Sequence, residues 1–159
     1  MSRKEIGLKL GEFSQYKSFE SFFRAYCRQT EYYVELAAEQ QRVEYHVAAE
    51  HSPFLMASLL YDDCIQRGRP IYDGGVRYLG DTLETYGNTN TADSLTAIKK
   101  LVFDEKQIAP QKLLEILKAN FEGFEMERKM LLAAPKYGND LEEADEMAVR
   151  VHEHICHAT

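Results

Sequence analysis

Residues 91–106 read TADSLTAIKKLVFDEK, residues 119–125 read ANFEGFE and residues 134–140 read APKYGND. The run from Thr91 to Asp140 decides how the whole chain is read. Helical signals begin at Ala92, and Leu95, Ile98, Leu101 and Val102 form one apolar face. Pro110 opens another helix, with Leu113, Leu114, Leu117 and Phe121 inward. Gly123 interrupts or ends it. A segment through Met126 and Met130 follows, and Pro135 and Gly138 stop that segment. Asn139 or Asp140 can cap the last helix, which buries Leu141, Met147, Ala148, Val151 and Ile155.

Upstream of this run the chain is also helical. Ser18 is a good N-cap, and Phe19, Phe22, Phe23 and Tyr26 recur at helical spacing behind it. Tyr33, Leu36, Ala37, Val43 and Val47 continue the apolar face toward Glu50. That length is unusual for a globular helix and leaves room for a break. Ser52-Pro53 is a second start signal, and Phe54, Leu55, Leu59, Leu60 and Ile65 form a broad apolar face after it. Gly68 ends that helix and Pro70 prevents its continuation.

Between Ile71 and Asn90 the helical period disappears. IYDGGVRYL places β-prone residues around Gly74 and Gly75, which predicts a short strand over Val76 to Leu79. GDTLETYGNTNT then reads as a polar loop. The expectation is a mainly α chain with one or two short strands, treated as a single segment over residues 1–159. One strand cannot satisfy its own backbone groups. The pattern therefore points to a piece of something larger, or to an assembly.

The composition bounds the function. The chain has 159 residues, enough for one domain with a real core. Its formal net charge of −7 disfavours nucleic-acid or anionic-membrane partners. No apolar window is long enough to span a bilayer, and MSRKEIGLKLGEF holds no signal core with a cleavage site. A cytoplasmic location is expected. The three cysteines, Cys27, Cys64 and Cys156, are widely and irregularly spaced, as reduced thiols would be.

With these words in order, the chain resembles the glycyl radical enzymes, the pyruvate formate-lyase relatives. The matching region is the one between their catalytic cysteine and their radical glycine. LGEFSQYKSFESFF is similar to the family's entry into this region. EHSPFLMASLLYDDCIQRG resembles its helix before the double glycine, and DGGVRY its glycine-glycine-x-arginine-tyrosine strand. The resemblance implies a ten-stranded α/β barrel in the complete enzyme, with this chain supplying outer helices and a strand. It also implies a glycyl radical in the complete enzyme, a separate radical SAM activating enzyme and a homodimer.

Neither reactive motif is present. None of the nine glycines lies in the family's arginine-valine-x-glycine-tyrosine pattern. No cysteine is followed two residues later by glutamate. No catalytic residue is therefore carried over. After Tyr78 the chain reads Leu79-Gly80-Asp81, where many members continue with asparagine and a glycine-rich turn. That departure removes the basis for naming a substrate subgroup.

A few residues still invite chemical readings. Arg77, Tyr78 and Leu79 could line the cavity of the complete enzyme; alternatively Arg77 pairs with a carboxylate and Tyr78 packs in the barrel wall. His152 and Cys156 are one helical turn apart, a spacing that supports metal ligation, yet the cluster matches no standard zinc signature and reads as a solvated helix end. No metal is expected. Asp62 and Asp63, adjacent on a helix, would point in different directions. Cys64 reads as a buried inert thiol. Gly74 and Gly75 read as a backbone requirement, since no phosphate-cradle word follows.

The leading functional expectation is a segment of a glycyl radical enzyme active in anaerobic metabolism, a formate C-acetyltransferase-like transferase or a related dehydratase, C–N lyase or decarboxylase, silent by itself. The alternative is a free-standing helical protein from a split gene that binds radical-enzyme subunits or the activating enzyme.

Overall fold

Helix α1 spans Phe19–His51, 33 residues without a break. Ser18 caps it as expected: its Oγ accepts the Ser21 N–H at 3.3 Å. The length has a plain cause, since no glycine or proline occurs in that span. Surface pairs such as Arg42 with Glu39 (2.6 Å) support its exposed stretch.

The computed structural model describes residues 6–80 and 84–159. It divides into two compact units, one holding the chain up to Glu31 and from Thr85 onward, the other Tyr32–Glu84. The start of α1 belongs to the first unit and its remainder to the second.

The first unit is helical. Helix α4 covers Asn88–Ile98, α5 Pro110–Lys118, α6 Glu125–Ala133 and α7 Glu142–Ala158. Pro110 occupies the first turn of α5, as the sequence predicts. Helix α4 begins four residues before Ala92, so the expected polar loop is shorter than read, with Gly87 (φ 78°) at its N-cap. Asn139 and Asp140 do not cap α7; Leu141 holds that position without a side-chain bond.

Two apolar clusters hold this unit together. Phe19 and Phe23 of α1 pack with Ala92 and Leu95 of α4 and Met147 and Val151 of α7. Leu101, Val102, Ile108, Leu113 and Ile116 form the second cluster. A six-residue π-helical stretch, Lys99–Asp104, extends α4 into it. The wider turn shows as the Glu105 N–H donating to the Lys100 carbonyl at 2.8 Å. Ion pairs tie the helices at their rims: Arg150 grips Glu20 with two bonds of 3.0 and 2.8 Å, and Lys100 meets Glu143 at 2.9 Å.

In the second unit the helix expected after Ser52-Pro53 is broken. Helix α2 is only Leu55–Ser58 and α3 only Cys64–Arg67, with turns between. Ser58 is the cause visible in the bonds. It is buried, its hydroxyl donates to the Phe54 carbonyl (3.0 Å), and it accepts the Ile71 N–H (3.1 Å). It thereby ties α2 to the later loop instead of continuing a helix. Phe54 and Asp63, just before α2 and α3, are left-handed at φ 49° and 72°. Gly68 ends α3 in a left-handed cap, as read from the sequence.

The expected strand over Val76 to Leu79 is absent; no strand occurs among the described residues. A short 3₁₀ turn, Ile71–Asp73, leads into irregular backbone instead. Strand geometry needs a neighbouring strand for its N–H and C=O groups. Here an arginine side chain takes the exposed carbonyls, as described next.

Candidate functional site

Arg77, Tyr78 and Leu79 lie on the segment after α3, and the geometry begins with Asp63. Its carboxylate accepts from Arg77 through Nε (3.2 Å) and Nη2 (3.3 Å). Arg67, one turn along α3, approaches the same carboxylate at 3.8 Å and donates to the Gly74 (3.2 Å) and Val76 (3.3 Å) carbonyls. Asp63 thus sits between two guanidinium groups, and together they hold the loop in place of a sheet. Pairing of Arg77 with a carboxylate is one of the two readings the sequence offers, but the sequence does not say which carboxylate; the Asp63–Arg67 spacing of four is shared by many solvated pairs.

The glycines complete the loop. Gly74 is left-handed at φ 77°. A Cβ on Gly75 would overlap the Arg69 and Pro70 carbonyl oxygens and lie 2.8 Å from the Cys64 sulfur. The double glycine is therefore a packing requirement. Cys64 is buried. Further along, Tyr45 of α1 stacks on Tyr72 with ring centroids 4.8 Å apart, and its hydroxyl donates to the Gly80 carbonyl at 3.4 Å.

These contacts hold the segment on which Tyr78 is 87 % exposed and Leu79 43 % exposed. Arg77 has a carboxylate partner, so its charge is already matched. The chemistry this segment offers is a phenol hydroxyl and an apolar side chain. Asp62 and Asp63 lie in a turn before α3 rather than within one helix, which corrects the helical placement read from the sequence. The polar loop after Leu79 includes residues 81–83, outside the described residues.

The α7 tail brings together only two members of its cluster. Cys156 Sγ lies 3.5 Å from His152 Nε2, while His154 Nε2 sits 3.1 Å from the Cys27 carbonyl oxygen. Burial pushes the Cys27 thiol above its ordinary pKa, and the nearby Glu31 carboxylate pushes the same way. In the first unit an apolar groove of about 460 Å³ opens between α4, α5 and α6, with Leu113, Phe121 and Leu131 in its walls and Arg128 beside them. It escaped the sequence reading, because it arises only where three helices meet.

The family described as pyruvate formate lyase-like matches residues 1–159. The trans-4-hydroxy-L-proline dehydratase of Clostridioides difficile is 38 % identical over 148 residues, covering 92 % of this chain and 19 % of that protein. The isethionate sulfite-lyase of Oleidesulfovibrio alaskensis is 39 % identical over 148 residues, covering 91 % and 18 %. The B12-independent glycerol dehydratase structure from Clostridium butyricum aligns with a TM-score of 0.90 at 35 % identity, covering 99 % of this chain and 20 % of that one. The chain spans roughly a fifth of the length of each of these proteins.

Proposed function

The chain belongs to the pyruvate formate lyase-like family, the glycyl radical enzymes, and from that premise we propose that it is a segment of a radical dehydratase or lyase of small hydroxylated substrates. The observation that carries this is a match along the whole chain that spans only about a fifth of each dehydratase and lyase it resembles. Two of those three proteins are dehydratases and one is a sulfite-lyase, which favours elimination over the acyl transfer of a formate C-acetyltransferase.

The surface supports the same reading. The second unit exposes Leu60 (87 %), Met56 (79 %) and Ile65 (65 %), side chains whose area a larger protein would bury. The proposed partner is therefore the remainder of the barrel. The complete enzyme would be a cytoplasmic homodimer, activated by a radical SAM enzyme, and would work anaerobically. The residues present do not supply the radical-bearing group, since no glycine here lies in the family's radical motif. No step is assigned to this chain, and its part is to build the wall, with Tyr78 and Leu79 beside the Asp63–Arg77 pair.

Anaerobic assays test the proposal. The purified chain, offered trans-4-hydroxy-L-proline, glycerol and isethionate, turns over none of them. The complete gene product, treated with a radical SAM activase, develops the electron-spin signal of a glycyl radical and eliminates water or sulfite from one such substrate. Turnover by the isolated chain overturns the assignment.

A further inference from the structure

The groove between α4, α5 and α6 has no part in the reading above. Leu113 and Leu117 of α5 and Leu131 and Leu132 of α6 line it. Leu117 is 52 % exposed and Leu132 59 %, so apolar area continues from the groove onto its rim. Phe121 lines it as well, from left-handed backbone at φ 68°, directly after Asn120 at φ 49°. A bulky residue occupies that region only where its surroundings impose it, and such strain gathers at binding and switch segments.

The charged and hydroxyl groups around the groove are bonded already, with one exception. Asp93 accepts the Tyr137 N–H at 2.8 Å, and the Ser94 hydroxyl donates to the Asn90 carbonyl at 2.7 Å. Lys136 Nζ donates to the Leu131 and Ala134 carbonyls at 3.2 and 2.7 Å. The Arg128 guanidinium has no hydrogen bond or ion pair among the described residues.

These facts select the occupant. Apolar area that runs past the rim fits a protein surface better than a molecule enclosed by the groove. With the lining groups already bonded, an occupant's backbone has to bond to itself, which favours a helix over an extended strand. The one unmatched cation calls for a carboxylate. We propose that this groove seats an amphipathic helix from the part of the complete enzyme outside residues 1–159, with an Asp or Glu of that helix paired to Arg128. The inference rests on the assignment of this chain as a segment of a larger enzyme. It adds where that enzyme docks on the first unit, and through which chemistry.

Comparing the isolated chain with the complete gene product tests it. Phenylglyoxal, followed by peptide mass spectrometry, labels Arg128 in the isolated chain, and that labelling is lost in the complete product. Arg128→Lys puts an amine at the same point. A water-soluble carbodiimide then joins that amine to a carboxylate as an amide, the reagent taking up the water as a urea. The coupled carboxylate lies outside residues 1–159, on a segment whose apolar residues recur at helical spacing. Arg128→Glu lowers the melting temperature of the complete product and leaves that of the isolated chain little changed, because Arg128 has no partner there to lose. Equal labelling of Arg128 in both proteins, equal melting shifts, no amide outside residues 1–159, or coupling to a segment without helical apolar spacing each overturns this proposal and leaves the assignment of the chain standing. A gene product no longer than this chain overturns both.

Discussion

Asp63 is a non-glycine residue held at φ 72°, with its carboxylate between Arg77 and Arg67. Left-handed backbone costs an L residue roughly 1–2 kcal/mol, though aspartate tolerates it better than most. The Arg77 side chain is 63 % exposed, so solvent screening limits the pair to about 0–1 kcal/mol although Asp63 is only 25 % exposed. Arg77→Met is therefore expected to lower global stability by less than about 1 kcal/mol while exposing the Gly74–Leu79 backbone to faster hydrogen exchange. Gly75→Ala acts differently, because its methyl group meets backbone oxygens that cannot step aside. A loss of about 1–3 kcal/mol is expected, read by denaturant titration and by tryptic cleavage after Arg67 or Arg77.

Thiol chemistry belongs to the same scale. Cys64 is buried, Cys27 is half-buried and Cys156 is exposed. Burial raises the Cys27 pKa, so near the unfolded value the folded state keeps a proton that the unfolded chain releases. Its contribution to stability is thus present below that value and fades as pH rises through the folded pKa. Iodoacetamide mapping by mass spectrometry between pH 7 and 9 is expected to label Cys156 first, Cys27 later and Cys64 last. Labelling of Cys64 ahead of Cys156 would contradict the packing of the Gly75 loop.

At the scale of elements, helices were legible where period and punctuation agreed. Pro110 starts α5, Gly68 ends α3, and the spacing of Phe19 and Phe23 or of Met147 and Val151 gave the buried faces. The reading failed where long-range partners decide. The single helix after Pro53 became two short ones because Ser58 bonds to Ile71, thirteen residues on. The strand over Val76 to Leu79 has β-prone residues but no neighbouring strand. The π-helical stretch Lys99–Asp104 leaves no mark in apolar spacing, since Leu101 and Val102 fit an α-helical face equally well. Of the candidate site, the residue types were legible, whereas the Asp63 latch and the His152–Cys156 contact required coordinates. Ile116 is fully buried in the second cluster. Ile116→Ala is expected to cost about 2–5 kcal/mol in chemical denaturation, whereas Val149→Ala, at an exposed site on α7, changes stability little.

At the scale of the whole molecule, the two units differ in how much apolar surface they hide. The first has two packed clusters. The second buries few of its large side chains and exposes Phe54, Leu55, Met56, Leu59, Leu60 and Ile65. That asymmetry is what a segment of a larger barrel would show when taken by itself. The family assignment was legible because its words fall in order along the chain. The substrate was not, because the chain spans only about a fifth of the length of the relatives it matches. The central claim is that this chain is a segment of such an enzyme. The most direct measurement is the size of the natural product, by immunoblotting source cells with an antibody to this chain. A band several times larger than 18.3 kDa is predicted. A band near 18.3 kDa, with nothing larger, would contradict the claim and mark an autonomous small protein.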